Sequence, residues 1–322
     1  MTIRPVRTLL PAVLTVLALG TAPAPASALA TNPAPAHART HADPPRHLPL
    51  PDGFQPEGIT IAPRGVAYLG SRADGDLYRL DLRTGSGTTI SQGPGTASVG
   101  LKVDRRGRLF VAGGDAGTVR VVSARTGRVL RTYQVGTPGD TFVNDVLLTP
   151  HAVWVTDSRA AALTVLRLGP GGSLPERAES LPLSGAWVQD AGVNNANGLT
   201  TTPDGSALLV VDSSSGELHR VDPTTGVTEV VDLGGALLTN GDGLLREGST
   251  LYGVQNRLNR IAVIELSDDG RTGRVVDTLT DPDLDVPTTV ARYRDRLYLP
   301  NARFTTTPTP TTPYWVTALD LP

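Results

Sequence analysis

Four polar residues of this 322-residue chain recur in one local pattern. Glu57 opens "EGITIAPRGVAYLG", Asn144 opens "NDVLLTPHAVWVTD", Asn197 opens "NGLTTTPDGSALLVVD" and Asp242 opens "DGLLREGSTLYGVQ". All four side chains end in oxygens, two as carboxylates and two as amides. Gathered at one place, they would bury two negative charges, which is costly without a counter-charge. No Lys or Arg stands at a matching position to supply one. A divalent cation removes the cost, and an all-oxygen set suits Ca²⁺, which takes 6–8 oxygens with water filling the rest; another divalent cation could serve. Without His or Cys the set does not suit zinc, copper or iron. The plainer alternative is that each residue only satisfies backbone groups at its own turn.

The elements that must position these residues are strands. Beyond the N-terminus, helical periodicity is absent and short β-rich runs alternate with turns such as "RADGD" at 72, "RTG" at 83 and 125, "PDG" at 203 and "DDG" at 268. Strands of about six residues with turns every 8–12 indicate an all-β fold. A longer period lies above this. Two further runs share the pattern, "VGLKVDRRGRLFVA" from Val99 and "TTVARYRDRLYLP" from Thr288, so the starts fall at 57, 99, 144, 197, 242 and 288. A repeat of that length with about four strands is a propeller blade. The sequence therefore predicts a six-bladed β-propeller with a central channel over residues 47–322. Its last outer strand is expected from the N-terminal side, near "RHLPLP" at 46–51. The first strands of all blades begin at one mouth of the channel, where Glu57, Val99, Asn144, Asn197, Asp242 and Thr288 form a ring.

The motifs "PEGIT", "VND", "NGLTTTPDG" and "NGDGL", in order and at blade spacing, resemble the SMP-30/gluconolactonase/luciferin-regenerating family of six-bladed propellers, to which diisopropylfluorophosphatase and the paraoxonases are similar. The resemblance covers roughly residues 50–320. It implies that Glu57, Asn144, Asn197 and Asp242 hold one catalytic Ca²⁺ in the channel, and that Asp242 also acts as base or nucleophile. Substrates of the family are typically lactones, with organophosphates among some relatives. A Lewis-acidic cation and a nearby carboxylate are the chemistry such hydrolysis needs.

The chain departs from the family in two places. Paraoxonases use central His residues, whereas His151 falls in a blade turn and His219 in an outer strand. Sugar-lactonase relatives often carry Arg two residues before the third-blade Asn. Here that position is Phe142, which suggests a less polar substrate. Asp145 and Asn240 neighbour the ring as residues that could support it. Thr288 closes the ring, and Arg303 in "NARF" could line the mouth.

The rest of the composition bounds location and partners. Arg4 and Arg7, the apolar "LLPAVLTVLALG" at 9–20 and the small-residue "ASALA" at 26–30 read as a secretory leader over 1–30. Residues 31–46, rich in Pro, Ala and His, read as a flexible linker. Removing the leader takes the formal charge from −2 to −4, with no basic run, so nucleic acid is not an expected partner. Cysteine is absent, which excludes disulfides and thiol chemistry. The expected protein is exported, monomeric and free of the membrane, and it takes a small-molecule substrate. Two classes of function fit: a calcium-dependent hydrolase, or a non-catalytic propeller that binds a ligand or protein at its mouth and keeps the metal for stability. Fold alone does not choose between them.

Overall fold

A computed structural model describes residues 11–15 and 44–321. The chain divides into residues 1–42 and 43–322. In the first unit, residues 11–15 carry no regular secondary structure. The expected leader and most of the expected linker otherwise lie outside the described residues. Among those described, no helix is long and apolar enough to cross a membrane.

The second unit is built from mainly antiparallel sheets arranged as the six blades of a propeller, and its only helical elements among the described residues are two short 3-10 turns, Pro170–Gly172 and Asn256–Leu258, within the third and fifth blades. The first strands of the blades are Pro56–Ala62, Leu101–Val103, Val143–Leu148, Ala196–Thr201, Gly241–Glu247 and Ala291–Tyr293. They touch their counterparts in neighbouring blades, so they line the axis. The sixth blade takes its outer strand, His47–Leu50, from the N-terminal side of the fold, paired antiparallel with the C-terminal Tyr314–Asp320. The residues just before that strand are tied to the same blade. The Pro44 carbonyl accepts a bond from Arg296, and Arg46 pairs with Asp320.

Five sheets have four strands; the fourth blade has five. Its extra strand, Ser184–Gly185, runs parallel to the outer strand Val227–Val230. It belongs to the long step between Asn144 and Asn197, where the sequence pattern alone did not anticipate another strand.

The core lies between the blades. Strict alternation along each strand sends one set of side chains to the preceding blade and the other to the following one. In the second strand of the third blade, Val153 and Val155 pack with Phe110 and Val121 of the second. Trp154, between them in sequence, packs with Leu199 and Val210 of the fourth. Six apolar clusters fill the six blade interfaces in this way.

Four blades share a local irregularity. The pairing register slips between Pro56 and Ile59, Val143 and Val146, Ala196 and Leu199, and Gly241 and Leu244. In each, two residues face one on the partner strand, which is a β-bulge, a device that re-aims a side chain. The residues inside the bulges are Glu57–Gly58, Asn144–Asp145, Asn197–Gly198 and Asp242–Gly243. The glycines answer close approach of backbones at the axis: a Cβ on Gly58 would stand 2.4 Å from the Val99 carbonyl oxygen, and one on Gly198 would stand 2.2 Å from that of Asp242.

Candidate metal and catalytic site

A cavity of about 860 Å³ opens at the end of the channel where the bulges lie. Glu57, Asn144, Asn197 and Asp242 all line it, and all four are buried. The two remaining ring positions differ. Val99 and Thr288 precede their strands, sit in the protein interior and do not line the cavity. The Thr288 hydroxyl donates to the backbone carbonyl of Glu57 at 2.6 Å, so it fixes the Glu57 backbone and is not placed to touch a ligand.

Each of the four ring side chains is faced by the residue just past the second strand of its own blade, a relation the sequence pattern contained but that was not read from it. The Asn144 amide nitrogen donates to Ser158 Oγ at 2.8 Å, and the Asn197 amide nitrogen donates to Ser213 Oγ at 3.0 Å. Both serines pass their own protons to the next blade, to the carbonyls of Ala196 and Gly241. The serines are therefore acceptors only towards the asparagines, which settles which amide atom each asparagine presents to them. The oxygen of Asn144 is left buried without a partner. At Asp242 the facing residue is Asn256, whose amide nitrogen donates to Oδ2 at 2.7 Å. At Glu57 it is Arg72, whose charge acts on the carboxylate from the cavity wall. The ring itself holds no cation, as the sequence indicated, but the wall around it does.

The electrostatics are those of buried carboxylates with no cation paired to them. Burial, then the Asp242 and Asp145 charges, push Glu57 well above the usual carboxylate range, against the pull of Arg72 and Lys102. Burial raises Asp242 to about 7, with Asp145 adding to the rise and the Asn256 and Asn197 amides opposing it. Asp145 lies off the cavity wall, is raised by burial and is answered by Lys102. One of its oxygens accepts from the Val146 N–H at 2.7 Å while the other has no partner. Among the described residues no three His, Cys, Asp or Glu side chains gather as a metal site. A hard-cation site arises here only because two amide oxygens join two carboxylates. An orphaned buried oxygen, a cluster of acids held above their ordinary pKa and an all-oxygen donor set together fit a divalent cation such as Ca²⁺.

The other expected site residues are spread over the mouth. Asn240 lines the cavity in a left-handed conformation (φ 55°), which Asn tolerates better than most residues, and its carbonyl accepts from the Asn256 N–H. Arg303 lines it too, tied to Asp285 at 2.8 Å and stacked on Trp315. Phe142 lines the third-blade wall. The less polar character read from it does not extend to that wall, because Arg159 from the neighbouring turn lies over its ring at 5.6 Å. The segment after Ser184 supplies Gly192, Val193 and Asn194 to the rim. Asn195 anchors it, donating to the carbonyls of Ser158, Asp190 and Val193. His219 is far from this chemistry in role: it is buried in the third strand of the fourth blade against Trp187, and burial lowers its pKa.

No family model matches this chain, and no curated protein does. Solved structures share the fold at low identity. A calcium-binding protein, regucalcin, from Agrobacterium tumefaciens is 19% identical, with a TM-score of 0.59 over 85% of this chain and 93% of its own. The major Malassezia sympodialis allergen Mala s 1 is 16% identical, with a TM-score of 0.61 over 86% and 96%. A luciferin-regenerating enzyme is 14% identical, with a TM-score of 0.58 over 84% and 92%. These likenesses establish a shared propeller fold.

The hydrogen bonds to the serines carry a direct expectation. Ser158→Ala removes the acceptor that turns the Asn144 amide nitrogen away from the cavity. Calcium affinity measured by calorimetry should fall about 10–100-fold, the usual cost of losing an outer-shell support. Unchanged affinity would mean that Asn144 is not a ligand.

Proposed function

We propose that this protein is an exported, calcium-dependent hydrolase of the SMP-30/gluconolactonase type, acting on a lactone or related ester. The carrying observation is the set of four bulged positions that turn Glu57, Asn144, Asn197 and Asp242 into one cavity, with the Asn144 and Asn197 amide nitrogens tied back to serines. The fold shared with regucalcin and a luciferin-regenerating enzyme supports the same reading.

Those four residues would hold the cation, which when bound supplies Lewis-acid polarisation of a carbonyl or phosphoryl oxygen. The chain's own residues do the rest. Asn256 orients the Asp242 carboxylate through Oδ2. That carboxylate is the group available to take a proton from water or to attack the substrate itself. Phe142 and Phe304 back the guanidinium groups of Arg159 and Arg72 on the cavity wall, and Tyr314 adds a further aromatic face. Arg72 and the rim residues remain free to orient the substrate.

The test is a hydrolysis screen of lactones, aryl esters and organophosphates, run with calcium and with chelator. Turnover of lactones or esters is expected, and chelation should remove it. Calcium binding at the ring without turnover of any substrate would instead support a propeller that only binds at its mouth.

A further inference from the structure

The ring explains where a cation would sit; it leaves the arginines of the same cavity without a role. Four arginines line the wall, Arg72, Arg159, Arg257 and Arg303, against two carboxylates, Glu57 and Asp242. Two of the four are already answered. Arg159 pairs with Asp115 at 2.6 Å and Arg303 with Asp285 at 2.8 Å. Asp145, close to the ring, has Lys102. Among the described residues, Arg72 and Arg257 form no ion pair with a carboxylate. Arg72 lies over the Phe304 ring at 4.7 Å, a cation–π contact that does not use up the guanidinium N–H donors. Arg257 is exposed and follows Asn256, which grips Asp242.

Charge balance then couples the two halves of the cavity. Empty of metal, Glu57 and Asp242 are the two carboxylates on the wall, and Arg72 acts on both without an ion pair to either. With a divalent cation on Glu57 and Asp242, the ion would take up their negative charge, and Arg72 and Arg257 would stand as excess positive charge beside the reacting centre. Planar guanidinium groups in a partly enclosed cavity are suited to oxyanions, which they bind through paired, charge-assisted hydrogen bonds.

We infer that the substrate of this cavity is a small ester or lactone that carries an anionic oxygen group, a carboxylate or a phosphate, and that Arg72 and Arg257 bind this group. The inference rests on the hydrolase reading above and sharpens its substrate class. It also makes cation and anion cooperative: the anionic ligand binds more tightly to the calcium-loaded protein than to the chelated one.

The experiment compares the γ-lactone of 2-hydroxyglutaric acid with its methyl ester at saturating calcium, following hydrolysis at constant pH. The free acid should be favoured by about tenfold or more in kcat/KM, roughly what one charge-assisted hydrogen bond contributes. Arg257→Met, at an exposed position that the fold tolerates, should collapse this preference, and Arg257→Lys should restore part of it. Equal use of acid and ester, or a preference untouched by Arg257→Met, would overturn the inference. Calorimetry with glutarate, dimethyl glutarate and methylphosphonate keeps it separate from the hydrolase reading. If neither lactone is hydrolysed but glutarate or methylphosphonate binds in an Arg257-dependent, calcium-enhanced manner, the anion site stands and the hydrolase reading falls; the stronger of the two probes then identifies the oxyanion. Binding of dimethyl glutarate as tight as that of glutarate, with no response to methylphosphonate, would remove the site altogether.

Discussion

Asp242→Asn, assayed at saturating calcium, should lose turnover by about 10²–10⁴-fold while remaining folded, the range expected when a general base or nucleophile is removed. The substitution keeps an oxygen on nearly the same stem, so the cavity keeps its shape and the cation keeps four oxygen side chains. What disappears is the negative charge that accepts a proton or attacks. Calcium affinity weakens as well, since one of two anionic donors is lost, and saturating metal removes that effect from the comparison. The fold should survive because six separate interfaces share its stability. In the absence of calcium the variant should even melt higher than the parent, because a buried carboxylate held at about 7 is a destabilising group at neutral pH. A calcium-saturated variant that hydrolyses at the parent rate would end the proposed role of Asp242 and move the search for the base to Glu57 or Asp145.

The second large effect is in stability against pH. Glu57, Asp145 and Asp242 are all raised in the folded protein above ordinary carboxylate values. Between the unfolded carboxylate pKa, near 4, and those raised values, the folded state binds more protons than the unfolded one. The contribution of these groups is therefore most favourable at low pH and is lost as pH rises through their raised values, about 7 for Asp242. Chelated protein should melt lower at pH 8 than at pH 5. Calcium must displace the same protons, so it should raise the melting temperature at pH 8 by about 5 °C at a hundredfold excess over its Kd, and by less at pH 5. Metal analysis should find about one tightly held ion per chain. A chelated protein that gains stability from pH 5 to pH 8 and ignores calcium would show that the ring carboxylates are balanced by something other than a metal.

Much of this architecture is legible in the sequence. Strand, tight turn and strand recurring at blade length fixed the blade count, because strand pairing obeys a short-range rule that composition and turn residues express directly. The closing strand at His47–Leu50 was readable for a related reason, since the last repeat was one strand short. The ring was readable only where a polar residue broke an apolar pattern. Val99 and Thr288 were placed on it by alignment, yet neither lies inside a strand or faces the cavity. Ser158, Ser213, Asn256 and Arg72 carry no signal in the sequence because each stands at a turn, where polar residues are ordinary. Only the bulge, which aims the ring residue back at that turn, gives them a partner. Arg159 carries none for the same reason, although it supplies the charge that seemed missing at Phe142. The extra strand of the fourth blade is not legible in the sequence because its pairing is parallel and two residues long, below what alternation can signal.

The join between His47–Leu50 and Tyr314–Asp320 also sets the order in which the ring can be finished. A ribosome makes the first of these strands before blade one and the second only after blade five. Blades one to five can each form from contiguous chain, but the sixth cannot close until Tyr314–Asp320 has been made. Until then the nascent protein is an open arc with an apolar face bared at either end, the faces that Leu48, Leu50, Ile59 and Val316 later seal together. The same separation leaves room for exchange: at high concentration, the N-terminal strand of one copy can complete the sixth blade of another, since the pairing is identical whichever copy supplies the strand.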